Sequence, residues 1–224
     1  PEEVLLDLNQ LAEGKPFMAL GAFAVSGNGR YLAYSTDDTG YRDYLLQLKD
    51  LVTGELLPLR VPKASSVAWA ADDQTLFYVV DDEAKRPWQL YRHRIGTDQH
   101  QLLREEQDEA FRLFVGLTRS RTFLVTSSDS HTTTEMHLLA SDQPLGTWRL
   151  VAPRVQDREY SLDHQGDRFV IRVNDRGRNF RLVSAPVGDP GPEQWTEIVP
   201  HRPDVMLEDV DCFEGHIVAS ERSA

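Results

Sequence analysis

The chain has 224 residues, 40% of them hydrophobic, enough for one large all-β domain or two smaller ones built around a real core. Its 24 Lys and Arg against 36 Asp and Glu leave a net charge of −12, which argues against nucleic acid or an anionic membrane as partner and favours cationic ligands. A single cysteine, Cys212, excludes an internal disulfide and a thiol-rich metal site and suits a reducing compartment.

The chain opens with PEEVLLDLNQ, which has neither the basic nor the apolar region of a signal peptide. No apolar run approaches the roughly 20 residues a membrane helix needs. The expected location is cytoplasmic. There is no initiator Met, and Pro1-Glu2-Glu3 leads straight into Val4-Leu5-Leu6, as if the stretch were cut from something longer. Residues 4–7 read as one outer strand of a preceding blade, and residues 9–15 as a helical turn.

Beyond this lead-in the chain repeats. Short apolar strands YLAYS, LFYVV, TFLVT, RFVIRV and HIVAS begin at Tyr31, Leu76, Thr122, Arg168 and His216, spaced by 45, 46, 46 and 48 residues. A period of about 40–50 residues that contains only strands predicts β-propeller blades of four antiparallel strands. The first unit reads AFAVS, YLAYS, YLLQLKDL and LLPLRV; the second SVAWA, LFYVV, QLYRHRI and HQLLRE. The third gives RLFVGLT, TFLVTSS, EMHLLA and WRLVAP, and the fourth EYSLDH, RFVIRV, NFRLVSAP and WTEIVP. A fifth begins with VMLEDVDCF and HIVASER. The second strand of each unit is dense in aromatic and β-branched residues, as burial on both faces requires. The third strand of the second unit is expected to alternate, with Leu90, Arg92 and Arg94 on one face and Tyr91, His93 and Ile95 on the other. Gly27-Asn28-Gly29, Asp72-Asp73 and Gly166-Asp167 fall between strands, where tight turns need them.

The expected organisation is therefore an all-β, incomplete propeller: a lead-in at 1–21, blades at 22–61, 64–106, 111–153 and 158–200, and a half blade at 205–224. Four full blades and parts of two others do not close a ring.

Local groupings that suggest chemistry do not survive their spacing. Ser161, Asp163 and His164 crowd one strand and its turn, where neighbours alternate between faces and cannot form a linear relay. His131 and His137, with Glu135 between them, lack a third convergent ligand and the helix that makes His-Glu-x-x-His bind metal. Asn28-Gly29 is a turn with no helix behind it to hold a phosphate. Cys212 reads as a small core residue, and Trp69, Trp88, Trp148 and Trp195 as packing residues. No cofactor and no metal are expected. A glycosidase-type propeller would need paired carboxylates at a central channel, and no such pair can be placed.

The segments VLLDLNQLA, YRHRIGTD, REEQDEAF and YSLDHQGDRFVIRVNDRGRNFRLVSAP, with the ending SER, resemble the N-terminal propeller of the oligopeptidase B (protease II) group of the prolyl oligopeptidase family of serine peptidases. The likeness runs in order from Val4 to Arg222. It implies a seven-bladed parent propeller joined to an α/β-hydrolase domain that carries a Ser-Asp-His triad and cleaves short peptides after Arg or Lys. It also implies that this stretch is inactive alone, since no G-x-S-x-G nucleophile elbow occurs in it. The expected partners are that hydrolase domain and short basic peptides, and the fragment is expected to self-associate through exposed blade faces. The alternative is a free-standing interaction propeller.

In this family the loops between second and third strands, and the links between blades, meet the hydrolase domain. This selects Asp37, Asp38 and Arg42; Asp81, Asp82, Glu83, Lys85 and Arg86; Asp129 to Thr133; and Asn174, Asp175, Arg176 and Arg178. Between blades it selects Lys63, Asp108, Glu109, Arg158 and Glu159. The expectation is that some form interdomain ion pairs that open and close a cleft, while the acidic ones attract basic peptides.

Overall fold

The computed structural model describes residues 2–223; Pro1 and Ala224, the outer limits of the expected lead-in and half blade, lie outside the described residues. A short helix α1 (Leu8–Ala12) precedes strands β1 (Ala19–Val25), β2 (Tyr31–Asp37), β3 (Leu45–Asp50) and β4 (Leu56–Pro62), which form one antiparallel sheet in that order. A second sheet holds β5 (Ala64–Trp69), β6 (Thr75–Asp81), β7 (Pro87–Arg94) and β8 (His100–Glu105). The third holds β9 (Arg112–Leu117), β10 (Phe123–Asp129), β11 (Thr134–Ala140) and β12 (Arg149–Ala152). The fourth holds β13 (Tyr160–Gln165), β14 (Arg168–Val173), β15 (Arg181–Pro186) and β16 (Thr196–Val199), and β17 (Val205–Cys212) pairs with β18 (Ile217–Ser223). Four-stranded antiparallel meanders of this kind are propeller blades, and no sheet closes on itself.

Residues 4–7, expected as a strand of a preceding blade, pair with no strand among the described residues. Asp7 caps α1 instead, its carboxylate accepting from the Asn9 and Gln10 N–H groups at 2.9 and 3.3 Å, and the Leu5 carbonyl accepts from Lys49 Nζ at 3.0 Å. Val4 is 72% exposed. The helical turn expected over residues 9–15 is α1, starting one residue earlier.

Each inner hairpin turns on a residue in the left-handed region: Gly29, Asp73, Arg121 and Gly166, with φ of 73°, 54°, 60° and 64°. Hydroxyl and carboxylate side chains hold three of these turns. Ser26 Oγ accepts from Tyr31 N (2.9 Å), Asp72 Oδ1 from Thr75 N (2.8 Å), and Thr118 Oγ1 from Phe123 N (3.2 Å). At the outer edge, every four-stranded sheet slips register between its third and fourth strands: at Gln47/Leu48, Leu90/Tyr91, Met136/His137 and Leu182/Val183. These bulges twist the outermost strand away from a flat pairing edge.

In the second blade the faces of β7 alternate from Gln89 to Arg94 as expected, but burial does not follow one face. Burial along β7 falls on Pro87, Leu90 and His93 rather than on alternate residues: Trp88 is an extra residue opposite the Val80/Asp81 step of β6, while Gln89 to Arg94 pair with β6 in unbroken register, so Leu90 and His93 are buried on opposite faces.

The chain divides into two compact units, residues 1–116 and 117–224. In the first, Tyr31, Leu46, Leu48, Trp69, Leu76 and Tyr78 pack into one core. Trp69, 1% exposed, stacks on Tyr31 and donates its indole N–H to the Ala24 carbonyl at 2.9 Å, tying β5 to β1. In the second, Phe123, Leu138, Tyr160, Phe169 and Ile171 pack together, and Val170, Leu182, Leu207 and Cys212 join β17 to the fourth blade. No helix among the described residues is long and apolar enough to cross a membrane.

Candidate functional site

Antiparallel order puts the loop between second and third strands, and the link to the next blade, at the same end of a sheet. In the first unit this end is organised by carboxylates that clamp backbone. Asp37 closes the β2–β3 loop: one oxygen accepts from Thr39 N (2.9 Å) and Thr39 Oγ1 (2.6 Å), the other from Arg42 N (2.8 Å). Burial alone would raise its pKa, but these donors outweigh it and hold the carboxyl below the usual range. Asp82 does the same in the β6–β7 loop, accepting from Ala84 N and Arg86 N at 2.8 and 3.0 Å and from Arg86 Nε at 3.0 Å. Arg86 NH1 then donates to the carbonyls of Glu106, Asp108 and Phe111 at 3.1, 3.2 and 3.2 Å, so this one guanidinium holds the link that leaves the second blade. Asp108 caps the same link through Ala110 N at 3.0 Å.

Ion pairs cross between loops. Lys63 meets Glu83 at 2.6 Å, Lys85 meets Asp43, and Asp38 meets Lys15 at 3.0 Å. Arg42, Lys63 and Lys85 all have left-handed backbones, with φ of 60°, 59° and 63°, unusual for side chains of their size. Asp81 N donates to the Lys63 carbonyl at 2.8 Å, which fixes the chain where it passes between blades.

The corresponding end of the second unit uses the same devices. Asn174 accepts from Glu159 N at 2.8 Å and donates to the Asp157 carbonyl at 3.1 Å. Asp175 makes a bidentate pair with Arg181 at 2.8 Å for both bonds, which holds the carboxyl below its usual range, and Arg181 also reaches Glu197 at 3.2 Å. Arg158 donates to the Pro153 carbonyl and lies over the Trp195 ring at 6.0 Å. The 130–133 loop is bound to itself by Ser130, and Thr133 Oγ1 accepts from Asp157 N at 3.0 Å.

One repeat position stands out. Asp37, Asp81 and Asp129 end the second strands of the first three blades, and Asn174 directly follows that of the fourth. Burial raises the pKa of Asp81 and Asp129, and one Asp81 oxygen is buried with no hydrogen-bond partner.

Of the loop charges selected from the sequence, most are therefore bonded within the propeller. The side chains of Arg42, Glu109, Arg176 and Arg178 form no hydrogen bond or ion pair among the described residues. Lys15, Asp43 and Arg181 were missed: Lys15 lies in the lead-in and Arg181 begins β15, outside the loops that topology selects, whereas Asp43 lies within the selected β2–β3 loop and was passed over.

Among the described residues no relay of nucleophile, base and acid assembles. His164 Nδ1 lies 2.9 Å from Ser120 Oγ, but Asp163 Oδ1 accepts from the backbone N–H of Arg119 and of His164, both at 2.8 Å. Ser120 also accepts from Thr122 N at 3.2 Å, as a turn residue does. Glu135 faces Arg154 at 3.5 Å and His137 at 3.9 Å, while His131 lies exposed in its loop. The described residues contain no group of three metal-ligating side chains. Cys212 is 3% exposed, and burial pushes its thiol up to about 11.

The chain is 40% identical to dipeptidyl aminopeptidase BI of Pseudoxanthomonas mexicana, over 99% of this chain and 31% of that protein. It is 37% identical to protease 2 of Moraxella lacunata, over 84% of this chain and 28% of that protein. The solved oligopeptidase B of Leishmania major superimposes with a TM-score of 0.91 at 29% identity, over 99% of this chain and 32% of that one. The chain thus spans about a third of the length of these relatives. The family described as prolyl oligopeptidase, N-terminal beta-propeller domain, matches residues 1–224, and the chain belongs to it.

Proposed function

We propose that this chain is the substrate-gating propeller of a cytoplasmic serine peptidase that cleaves short peptides after Arg or Lys, with the catalytic triad in a hydrolase domain elsewhere in the parent protein. The observation that carries the reading is the 0.91 TM-score to an oligopeptidase B, supported by the identity to a protease 2. The net charge of −12 suits cationic substrates. At the loop end, Arg42, Glu109, Arg176 and Arg178 are the charges free to meet another domain, whereas Asp37, Asp82, Arg86 and Asp175 hold their own loops. The chain by itself hydrolyses no peptide, and blade faces left uncovered associate with other copies.

A second reading follows from the 40% identity to a dipeptidyl aminopeptidase, whose name describes removal of dipeptides from a free amino terminus. The two separate cleanly on the full-length parent. Fluorogenic substrates ending in Arg or Lys are offered with the amino terminus free or acylated. Turnover of both forms supports the endo-acting reading; turnover of free dipeptidyl substrates alone replaces it with the second. Reversing the charge of Arg42, Glu109, Arg176 and Arg178 together should change the salt dependence of kcat/KM, and an unchanged salt profile would remove these residues from the gate.

A further inference from the structure

A cavity of about 360 Å³ opens in the second unit, beside β13, β14 and β17, within the size range of small-molecule sites. Its wall carries Arg172 on one strand and Asp163 and Asp209 on two others, with Ser161 directly across from Arg172 in the ladder. Arg172 is fixed rather than mobile: its Nε donates to the Leu207 carbonyl at 2.7 Å, and its guanidinium lies 3.4 Å from the Phe180 ring centroid. Its two terminal nitrogens make no hydrogen bond among the described residues. The carboxylates are held as well. Asp163 Oδ1 takes the Arg119 and His164 N–H groups and Asp209 Oδ1 takes Val210 N at 2.8 Å, which leaves the second oxygen of each without a hydrogen bond. Arg119, the other cation on the wall, is already paired with Asp211 at 2.8 Å.

Arg172 and the two aspartates line one cavity yet form no ion pair with each other among the described residues. Each is tied to a backbone group by one hydrogen bond or more, and the charges of Asp209, Glu159 and Glu208 act on Arg172 without a contact ion pair among the described residues. A fixed cation facing fixed anions recognises a molecule that carries both charges at a matching separation. We propose that this cavity binds a small zwitterion of the peptide class, a dipeptide or similar, with its carboxylate on Arg172 and Ser161 and its ammonium on Asp209 and Asp163. The choice of a peptide as the zwitterion rests on the peptidase reading; the arrangement of charges does not. Such a site gives the propeller a peptide anchor separate from the loop-end charges.

The test uses the chain alone, followed by amide NMR, with three probes: Ala-Ala, its N-acetyl form, which lacks the ammonium, and its C-terminal amide, which lacks the carboxylate. Ala-Ala should shift the amides around Ser161–Asp163, Arg172 and Asp209–Val210 and saturate below about 10 mM, and each blocked form should bind about tenfold more weakly or worse. Asp209→Asn should cost Ala-Ala about tenfold and leave the binding of the N-acetyl form unchanged, since that probe has no ammonium to lose. Arg172→Gln should abolish binding of Ala-Ala and of the N-acetyl form; if loss of the Leu207 and Phe180 contacts unfolds this variant, the Asp209→Asn comparison still decides. Absence of saturable shifts, or equal binding of all three probes, overturns the proposal. Neither outcome touches the peptidase reading, which is tested by turnover in the parent enzyme.

Discussion

Tyr160 joins the inner strand of the fourth blade to the outer strands of the third. The residue is 3% exposed, and its hydroxyl accepts from Met136 N at 2.7 Å while donating to the Ala152 carbonyl at 3.0 Å. Met136 and Ala152 are register partners at the point where β11 and β12 slip, so the hydroxyl stands where a ladder hydrogen bond would otherwise run. Burial pushes the phenol up to about 12, which keeps it a neutral donor at any working pH. Tyr160→Phe keeps the ring and its packing against Trp195 but strands one part-buried N–H and one buried C=O. An unsatisfied buried group costs about 1–3 kcal/mol, so a loss of about 2–4 kcal/mol is expected, the lower end if the strands close the gap. Urea unfolding of the chain, followed by far-UV circular dichroism, should show a lower midpoint with an unchanged slope. A loss below about 0.5 kcal/mol would mean that the hydroxyl is not filling the bulge, and the account of this joint would fail.

Three further outcomes follow from buried groups. Trp69→Phe should cost about 2–3 kcal/mol in the same assay, through the lost bond to the Ala24 carbonyl and the space left by the smaller ring. Cys212, with a thiol pushed up to about 11, should resist a disulfide reagent at pH 8 in the folded chain and react at once in denaturant; equal rates would show that the thiol is accessible in the folded state. Burial lowers the pKa of His93, so the folded chain takes up that proton less readily than the unfolded chain. Its contribution is complete above the unfolded value, about 6.5, and is lost as pH falls below it, so His93→Phe should flatten the acid side of the stability profile.

The sequence carries the blades well because their signals are local. Turn residues, the 45–48-residue spacing and apolar second strands each depend on a few neighbours, and all sixteen strands expected in the four full blades are present. What escapes is whatever depends on a partner distant in the chain. Residues 4–7 have strand composition but pair with no strand among the described residues, and the bulge at Trp88 of β7 shows only in its pairing with β6. The loop charges show the same limit. Topology places Arg86 at the correct end of its blade, but nothing in the sequence says that its guanidinium is committed to three carbonyls 20 to 25 residues away. The Arg172 cavity was equally hidden, since its wall is drawn from segments around residues 163, 172 and 209.

The repeat itself supplies the sharpest comparison, because one position holds Asp37, Asp81, Asp129 and Asn174 in four blades with the same chain geometry and different surroundings. At Asp37 three donors hold the pKa down, so the charged form favours the fold, and that contribution is present above the unfolded value and lost as acid protonates the group. At Asp81 and Asp129 burial dominates and the pKa rises, so the charge works against the fold at neutral pH, and the penalty fades as pH falls through the folded value. Asn174 is the uncharged form of the same position, satisfied by Asp157 and Glu159. Replacing each Asp by Asn should therefore move stability in opposite directions at pH 7. Asp37→Asn keeps one oxygen for Thr39 but sets an amide donor against the Arg42 N–H, and should cost about 1–2 kcal/mol. Asp81→Asn and Asp129→Asn should raise the unfolding midpoint at pH 7, and the gain should shrink as pH falls through the raised folded values, so that little remains at pH 4, close to the ordinary carboxylate value of about 3.9. Paired urea titrations at the two pH values read all three signs. A common sign at pH 7 would show that chain geometry at this repeat position, and not the local balance of donors and burial, sets what the side chain contributes.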